Sequence, residues 1–173
     1  VYPITFLSSL AVSDTIEGLA DVTATLKWPN DVLGRGRKIS GTLIELSTEA
    51  DMVRFVVIGI GLNVNMGSED MDRDIRATAT SLLMETKKTY ERPKVCGILL
   101  SNLERYYDLF KKEGARAICD IWEERAQIRG KYLTINQMGE VYAGTAKGID
   151  RDGAILLDIE GTTKKILAGD VNF

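Results

Sequence analysis

The most informative segment of the chain spans residues 23–65 and reads TATLKWPNDVLGRGRKISGTLIELSTEADMVRFVVIGIGLNVN. Two apolar runs, residues 39–46 and 53–60, flank a polar stretch over residues 47–51, and this pattern predicts a β-hairpin with a turn at the polar stretch. The second run is apolar at consecutive positions, which is typical of a strand buried on both faces. We therefore expect it to lie centrally in its sheet.

Helical and β-type patterns alternate around this segment. Apolar residues recur at helical spacing over residues 3–19, 79–85, 92–113 and 115–126. After Gly130 the pattern changes to short β-type runs separated by glycine turns, which favours a small barrel; these runs are residues 131–135, 140–148, 154–159 and 164–167. The chain is therefore predicted to be α+β, with one domain over residues 1–128 and a second, β-rich domain over residues 129–173.

Composition excludes several classes of protein. The chain has 173 residues, of which 45% are hydrophobic and 27% charged, with a net charge of −3. No basic surplus is visible, so a nucleic-acid partner is not expected. No apolar run approaches the eighteen or so residues of a membrane span. The apolar opening segment, residues 4–12, lacks the basic flank of a signal peptide and is interpreted as helix.

The chain contains no histidine. This excludes a Ser-His-Asp triad, a Cys-His dyad and His-ligated zinc. Catalysis would have to rest on lysine, arginine, carboxylates, tyrosine or backbone amides. Cys96 and Cys119 are too few and too far apart for a zinc cluster or a disulfide scaffold, so we predict buried free thiols in a reducing, cytoplasmic setting. No protein-held metal site is predicted.

Three short motifs carry the chemistry: Lys27-Trp28-Pro29-Asn30-Asp31, then Lys38-Ile39-Ser40-Gly41-Thr42-Leu43-Ile44-Glu45, and Gly59-Ile60-Gly61-Leu62-Asn63-Val64-Asn65. Two lysines near one cleft suit an anionic ligand, with phosphate the obvious choice. Glycines let a ligand lie against the backbone, and an asparagine amide can bind the edge of a purine. Each motif alone has an ordinary interpretation as strand-end lysines, turns or loop caps.

In this order and spacing, however, the three motifs resemble the catalytic domain of biotin protein ligases. The C-terminal part, from Gly144 to Leu157 and then Gly169-Asp170-Val171, is similar to the small barrel that closes these enzymes. The resemblance implies a catalytic domain like that of class II aminoacyl-tRNA synthetases and lipoate ligases, with a mixed sheet and helices. An SH3-like β-barrel is implied behind it.

The resemblance also implies an activity. The family joins biotin and ATP, with Mg²⁺, into biotinyl-5′-AMP and transfers the biotinyl group to a lysine of a carboxylase's biotin carrier domain. Lys38 falls on the family's conserved lysine, which meets both the biotin carboxylate and the phosphate, so it is the expected catalytic residue. Gly41, Thr42, Gly59 and Gly61 fall on positions that line the biotin pocket with Lys38. Lys27, Asn30, Asp31 and Asn63 fall on positions near the nucleotide.

The sequence departs from the family pattern at its start. The family's Arg/Gly-rich biotin loop precedes the opening helix, and we expect it to be missing here with the first strands and helix of the catalytic domain. The segment Gly34-Arg35-Gly36-Arg37 resembles that loop only superficially and is interpreted as a solvated turn. The chain is therefore expected to be a fragment with weak or no activity alone.

Two other functions stay open at this stage. The first is a non-catalytic relative that binds biotin, its adenylate or a carrier domain. The second is a lipoate-type ligase, against which the motif at residues 27–31 and the C-terminal barrel argue. A homodimer is expected from the family, with the hairpin at residues 47–54 as its surface.

Overall fold

The structure is a computed structural model that describes residues 2–49 and 52–172, and it is α+β as the sequence predicts. Within these residues the elements are, in chain order, α1 (Tyr2–Leu19), β1 (Ala24–Lys27), β2 (Asp31–Gly34), β3 (Arg37–Glu49), β4 (Met52–Leu62), α2 (Leu82–Thr86), α3 (Arg92–Glu113), α4 (Ala115–Ala126), β5 (Tyr132–Gln137), β6 (Glu140–Ile149), β7 (Ile155–Ile159), β8 (Thr162–Ile166) and β9 (Asp170–Asn172).

Strands β1 to β4 form an antiparallel sheet in that order. The hairpin of β3 and β4 is confirmed, but both strands are longer than predicted, because Thr48 pairs with Val53 and Glu49 with Met52. The predicted turn over residues 47–51 is therefore wrong for residues 47–49; residues 50 and 51 lie outside the described residues. The central position predicted for β4 is also wrong, since β4 lies at the edge of the described strands.

Helix α1, predicted over residues 3–19, is confirmed and lies at the centre of the core. It packs against α3, α4 and the sheet, so it is buried on nearly every side. Small hydroxyl residues allow this close packing and satisfy themselves locally, as when Thr15 Oγ1 donates to Ala11 O at 2.7 Å. The Phe6 ring stacks on Trp122 of α4, with centroids 4.3 Å apart. This helix thus supports the inner face of the sheet.

The two long helices that precede the C-terminal sheet, α3 and α4, have the predicted bounds. The helix predicted over residues 79–85 begins later, at Leu82, because Ser81 caps it: Ser81 Oγ accepts a hydrogen bond from Met84 N at 3.0 Å. Residues 79 and 80 are instead extended, and Ala79 forms an isolated parallel bridge with Lys38.

The thiols follow the prediction only in part. Cys119 is buried in α4, and burial raises the pKa of its thiol to about 11, so it stays protonated and unreactive. Cys96 is exposed on α3, so the prediction that it is buried is wrong. The core-facing side of α3 follows the apolar period, with Val95 and Tyr106 buried, whereas Cys96 lies one turn from the exposed Leu100. No helix among the described residues is long and apolar enough to cross a membrane.

The C-terminal part is an antiparallel sheet in the order β8-β7-β6-β5-β9. It is rich in short strands, as predicted, and several of its apolar residues, among them Leu133, Ile155 and Leu157, are fully buried. Among the described residues no ladder joins β8 to β9, so closure into a barrel stays a prediction. The glycine turns follow the sequence: Gly153 and Gly161 have φ values of +88° and +83°, which favour glycine.

Candidate functional site

The turn between β1 and β2 holds three of the predicted site residues. Lys27 and Asp31 are cross-strand partners, so their side chains leave the sheet from the same face. The Trp28–Pro29 peptide bond between them is cis. Asn30 fastens the turn to β3 through two hydrogen bonds. Its side-chain Nδ2 donates to Thr42 O at 2.9 Å, and its main-chain carbonyl accepts from Thr42 N at 3.0 Å. The turn is therefore fixed from both sides of Asn30.

Trp28 anchors the same turn to the C-terminal sheet. Its side chain is buried, and its Nε1 donates to Gly153 O at 2.9 Å. The ring of Tyr2 stacks on it, with centroids 5.9 Å apart. A side chain at Gly153 would run into Tyr2, which explains why the position is glycine. The β1–β2 turn is thus held by α1 and by the turn before β7.

A β-bulge in β3 determines where Lys38 points. Val32 pairs with Ser40 and Leu33 with Lys38, which leaves Ile39 as the extra residue on β3. Ile39 and Ser40 are consequently both buried. Lys38 and Gly41, three positions apart, then lie on the same outer face of the sheet. The bulge thus places the lysine directly over a glycine, which strict alternation would not.

Lys38 and Asp31 form an ion pair on this outer face. The distance from Lys38 Nζ to Asp31 Oδ1 is 2.6 Å, and the two side chains are 49% and 18% exposed. Asp31 is the cross-strand partner of Gly41, so the lysine side chain crosses Gly41 to reach it. A Cβ at Gly41 would lie 3.1 Å from Lys38 Cε and 3.3 Å from Asp31 Oδ1. Glycine therefore gives this pair its room.

The floor beside the ion pair is an open cleft of about 450 Å³. Gly41 faces Gly61 across the β3–β4 ladder, and Leu43 faces Gly59. Three of these four positions lack a side chain, so a ligand can approach the backbone closely. The cleft is lined by Asn30, Lys38, Gly41, Thr42, Leu43, Gly59, Ile60 and Gly61.

The predicted site residues are thus largely brought together. All five predicted biotin-pocket residues and Asn30 line the cleft. Asp31 borders it through Lys38, and Lys27 shares the outer face with Asp31. Thr42 itself is buried, so its hydroxyl faces the core. Leu43 and Ile60 also line the cleft, and sequence reasoning did not select them; their places between the selected glycines were the available signal.

Asn63 lies apart from the cleft lining and holds the end of β4 in place. Its Nδ2 donates to Thr80 O at 3.0 Å, and its main-chain N–H donates to Ile39 O at 2.9 Å. The side-chain amide of Asn65 also holds main chain in place, since it forms two hydrogen bonds with the main chain of Tyr90. Both asparagines therefore support the loop after β4.

Glu85 of α2 is a buried carboxylate next to the β2–β3 turn. Its side chain is 3% exposed and accepts from Arg37 NH2 at 2.6 Å and from Thr80 Oγ1 at 2.5 Å. Burial raises the pKa of Glu85, but the hydrogen bonds and the charges of Arg37 and Arg35 outweigh it and lower the pKa overall. The interpretation of residues 34–37 as a solvated turn therefore holds for Arg35, which is 60% exposed, and fails for Arg37. The sequence offers no local signal for this contact, because Glu85 is 48 positions from Arg37.

Within residues 2–49 and 52–172, no three histidine, cysteine, aspartate or glutamate side chains gather in a way that could hold a metal ion. Asp31 is the carboxylate beside the cleft that an approaching cation would meet first. The cleft therefore offers a cation-binding oxygen but no protein-built metal cage.

The fold and this cleft define a class of protein. A lysine–carboxylate pair above a glycine floor, on the sheet of an α+β domain, suits the binding and activation of a small anionic ligand.

Models of two protein families match the chain: Biotin/lipoate A/B protein ligase family over residues 2–63 and Biotin protein ligase C terminal domain over residues 130–173. The Bifunctional ligase/repressor BirA of Bacillus spizizenii is 35% identical over 168 residues, which covers 97% of this chain and 52% of that protein. The Biotin–[acetyl-CoA-carboxylase] ligase of Paracoccus denitrificans is 30% identical over 176 residues, which covers 98% and 72%.

A solved structure extends the likeness to three dimensions. The biotin protein ligase from Aquifex aeolicus in complex with biotin and ATP superposes with a TM-score of 0.82 at 27% identity, covering 99% of this chain and 71% of that one. The chain belongs to the biotin protein ligase family. It spans about half the length of the Bacillus relatives that it matches.

Proposed function

We propose that this chain carries the catalytic cleft of an ATP-dependent biotin protein ligase. In this proposal the protein activates biotin to biotinyl-5′-AMP and transfers biotin to a lysine of a carboxylase's biotin carrier domain. The observation that carries the proposal is the Lys38–Asp31 ion pair, at 2.6 Å, over the Gly41 and Gly61 floor. A related structure from Aquifex aeolicus, described as a complex with biotin and ATP, supports the choice of ligands.

The first chemical step needs positioning and positive charge. A carboxylate oxygen of biotin attacks the α-phosphorus of ATP, a new O–P bond forms, and the bond to the β-phosphate breaks to release pyrophosphate. Because two anions approach each other, a cation aimed at the developing charge lowers the barrier. We assign this role to Lys38. No covalent enzyme nucleophile is required, so the absence of histidine is no obstacle.

Asp31 and Lys27 act on either side of that lysine. Asp31 holds Lys38 Nζ in place over the glycine floor until the ligands arrive. Lys27, which forms no ion pair with the part of the chain that the structure describes, can then meet a phosphate oxygen on the same face. In the second step the carrier's lysine amine attacks the acyl carbon of the adenylate, and AMP leaves.

Mg²⁺ fits this cleft only as a partner of the ATP phosphates. Magnesium in proteins is often bound through one or two carboxylates together with substrate phosphates, and Asp31 would be its protein ligand here. When bound, the cation neutralises phosphate charge.

The remaining assignments concern ligand contact and support. We propose that Lys38, Gly41, Thr42, Gly59 and Gly61 bind biotin, and that Lys27, Asn30, Asp31 and Asn63 serve the nucleotide. Asn30 and Asn63 already donate to Thr42 O and Thr80 O, so their contribution is to hold the walls of the nucleotide side.

Organisation and setting belong to the same proposal. Residues 1–128 would belong to the catalytic domain and residues 129–173 would form the SH3-like domain, with the two joined through Trp28 and Gly153. We place the chain in the cytoplasm, where free thiols persist. A homodimer through the β3–β4 hairpin stays a prediction that sedimentation analysis of the purified chain would test.

Calorimetric titration of biotin, with and without ATP and Mg²⁺, tests the cleft. We expect the wild-type protein to bind biotin with micromolar or tighter affinity. In a separate adenylation assay, Lys38→Ala should lower the rate by about 10²–10³. Lys112→Ala should change neither the affinity nor the rate. Lys112 is the matched control because its side chain is 80% exposed on α3.

A carrier-biotinylation assay read by mass spectrometry then separates the two open functions. Binding followed by transfer supports the ligase. Binding without transfer under ATP and Mg²⁺ indicates the non-catalytic relative. Absence of biotin binding in a folded sample contradicts the proposed cleft.

A further inference from the structure

The carboxylate of Glu85 has no part in the chemistry proposed above, yet it is among the least exposed charged groups near the cleft. Its side chain is 3% exposed, and its Oε1 accepts a hydrogen bond from Arg37 NH2 at 2.6 Å. The Nε of Arg35 lies 3.6 Å from its other oxygen, Oε2. The hydroxyl of Thr80, itself fully buried, donates to the same carboxylate. A buried charge is costly unless it is paired and hydrogen-bonded, and this one is both.

The groups that contact Glu85 flank Lys38 on both sides. Arg37 immediately precedes Lys38 on β3. Thr80 N donates to Lys38 O at 2.8 Å, and Lys38 N donates to Thr78 O at 2.7 Å. The main chain of Lys38 is therefore held by residues 78–80, which lead from the end of a turn through the isolated bridge at Ala79. Glu85 ties this segment, through Thr80, to the residue before Lys38.

The same contacts control the direction of the lysine side chain. The bulge at Ile39 follows Lys38 directly, and it is this bulge that places Lys38 over Gly41. Without the Glu85 carboxylate, Arg37 and Thr80 would no longer be linked, and the start of β3 next to the bulge would lose one of the contacts that hold it. The carboxylate also holds the Arg37 guanidinium to itself, which leaves Lys38 as the cation of the cleft lining.

We propose that Glu85 is a positioning residue that, through Arg37 and Thr80, fixes the Lys38 amine over the Gly41 floor. This inference rests on the proposed role of Lys38 in activating biotin. Glu85 touches neither ligand. It acts on the reaction by keeping Lys38 in the one orientation that reaches the developing charge.

The test compares Glu85→Gln with Asp14→Asn. Asp14 is a matched control: it is 21% exposed and accepts from Arg125, Arg105 and Tyr106. It joins α1 to α3 and α4, remote in contacts from the 78–80 segment. The first readout is the rate at which acetic anhydride acetylates Lys38, measured by mass spectrometry. It requires no turnover, so it remains informative if biotin does not bind.

We expect Glu85→Gln to change the acetylation rate of Lys38 by about threefold or more, while Asp14→Asn leaves it unchanged. In the adenylation assay, Glu85→Gln should lower kcat by about tenfold with KM for biotin within about twofold, because a mispositioned cation fails mainly in the transition state. Asp14→Asn should leave kcat unchanged. Equal effects of the two variants, or an unchanged Lys38 rate in Glu85→Gln, would overturn the inference.

A second variant keeps the test decisive if Glu85→Gln does not fold. Arg37 is the first residue of β3 and its side chain is 38% exposed, so Arg37→Gln should fold while removing the same contact from the other side. It should reproduce the change in Lys38 acetylation. Normal Lys38 acetylation in Arg37→Gln would contradict the role assigned to Glu85. If biotin fails to bind wild-type protein while acetylation still depends on Glu85, the proposed function fails and the positioning of Lys38 stands.

Discussion

The two ends of the β3–β4 pair carry opposite surfaces on the same outer face. At one end Gly41, Gly59 and Gly61 leave backbone open beneath a charged pair. At the other end Phe55 and Val57 stand 57% and 48% exposed. The pairing is regular from Gly41–Gly61 to Ser47–Phe55, so pairing alone does not explain the difference. The difference comes from side-chain size, because glycines occupy one end and the larger Phe55 and Val57 occupy the other.

The inner face of the pair shows a related contrast. Near the glycine end Ser40 and Thr42 are buried against the core. Near the other end the strand lines an apolar groove of about 690 Å³ between β4 and the helices α1 and α3. At the glycine end the inner-face side chains are thus buried, whereas at the apolar end the strand borders an open groove. The end that carries the candidate site is therefore the more tightly held one.

The largest expected effect comes from filling the glycine end. In Gly41→Val the new side chain meets Lys38 and Asp31, since a Cβ alone would lie 3.1 to 3.3 Å from them. The new side chain also fills part of the cleft floor, so biotin binding by calorimetry should weaken by about tenfold or more, where each tenfold corresponds to about 1.4 kcal/mol of lost binding free energy. The control is Glu45→Val, on the same face beyond Leu43, which should bind biotin normally. Equal losses in both variants would contradict a site confined to the glycine end.

The next effect tests what holds the glycine end in place. Trp28→Phe removes the donor to Gly153 O and should lower the free energy of unfolding by about 1–3 kcal/mol, because a buried acceptor is left unpaired. Trp122→Phe is a matched control, since it is equally buried and also loses one indole bond, to Ser9 Oγ at 3.0 Å. Chemical denaturation should show a similar loss in both.

Biotin binding should separate these two variants. We expect Trp28→Phe to weaken it several-fold and Trp122→Phe to leave it unchanged, because only Trp28 lies in the turn that carries Asp31. Similar affinities in the two variants would mean that the C-terminal sheet supports stability without shaping the cleft.

The motif order along the chain was enough to predict most of the cleft, because its residues lie on adjacent, hydrogen-bonded strands. Other features depended on contacts that local sequence does not encode. The bulge at Ile39 arises from register with β2, a strand that the sequence did not predict. The edge position of β4 depends on which strands are present beside it. Glu85 meets Arg37 only after folding.

A smaller expected effect is a difference between the two ends in how stability depends on pH. Because the folded-state pKa of Glu85 lies below its usual value, its contribution to stability is present above the unfolded value of about 4.3 and is lost as pH falls through the folded pKa. The melting temperature of wild type should therefore fall more steeply below about pH 5 than that of Glu85→Gln.

Glu49→Gln is the control for the acid experiment at the other end of the hairpin. The Glu49 side chain is 67% exposed and pairs with Arg54 at 3.0 Å, and exposed pairs of this kind contribute little to stability. This variant should keep the steep wild-type acid dependence. If Glu49→Gln flattened the curve as much as Glu85→Gln, the two ends would be equally dependent on their carboxylates.

The smallest expected effect lies at the apolar end itself. Phe55 is 57% exposed opposite Ser47, so Phe55→Ser removes little buried area and should change the free energy of unfolding by no more than about 0.5 kcal/mol. Biotin binding should be unchanged, while binding of a hydrophobic dye should decrease because the exposed apolar patch is smaller. A large loss of stability would show that Phe55 packs as a core residue, and the contrast between a held end and an open end would then fail. A loss of biotin binding without loss of stability would instead place the two ends in one continuous site.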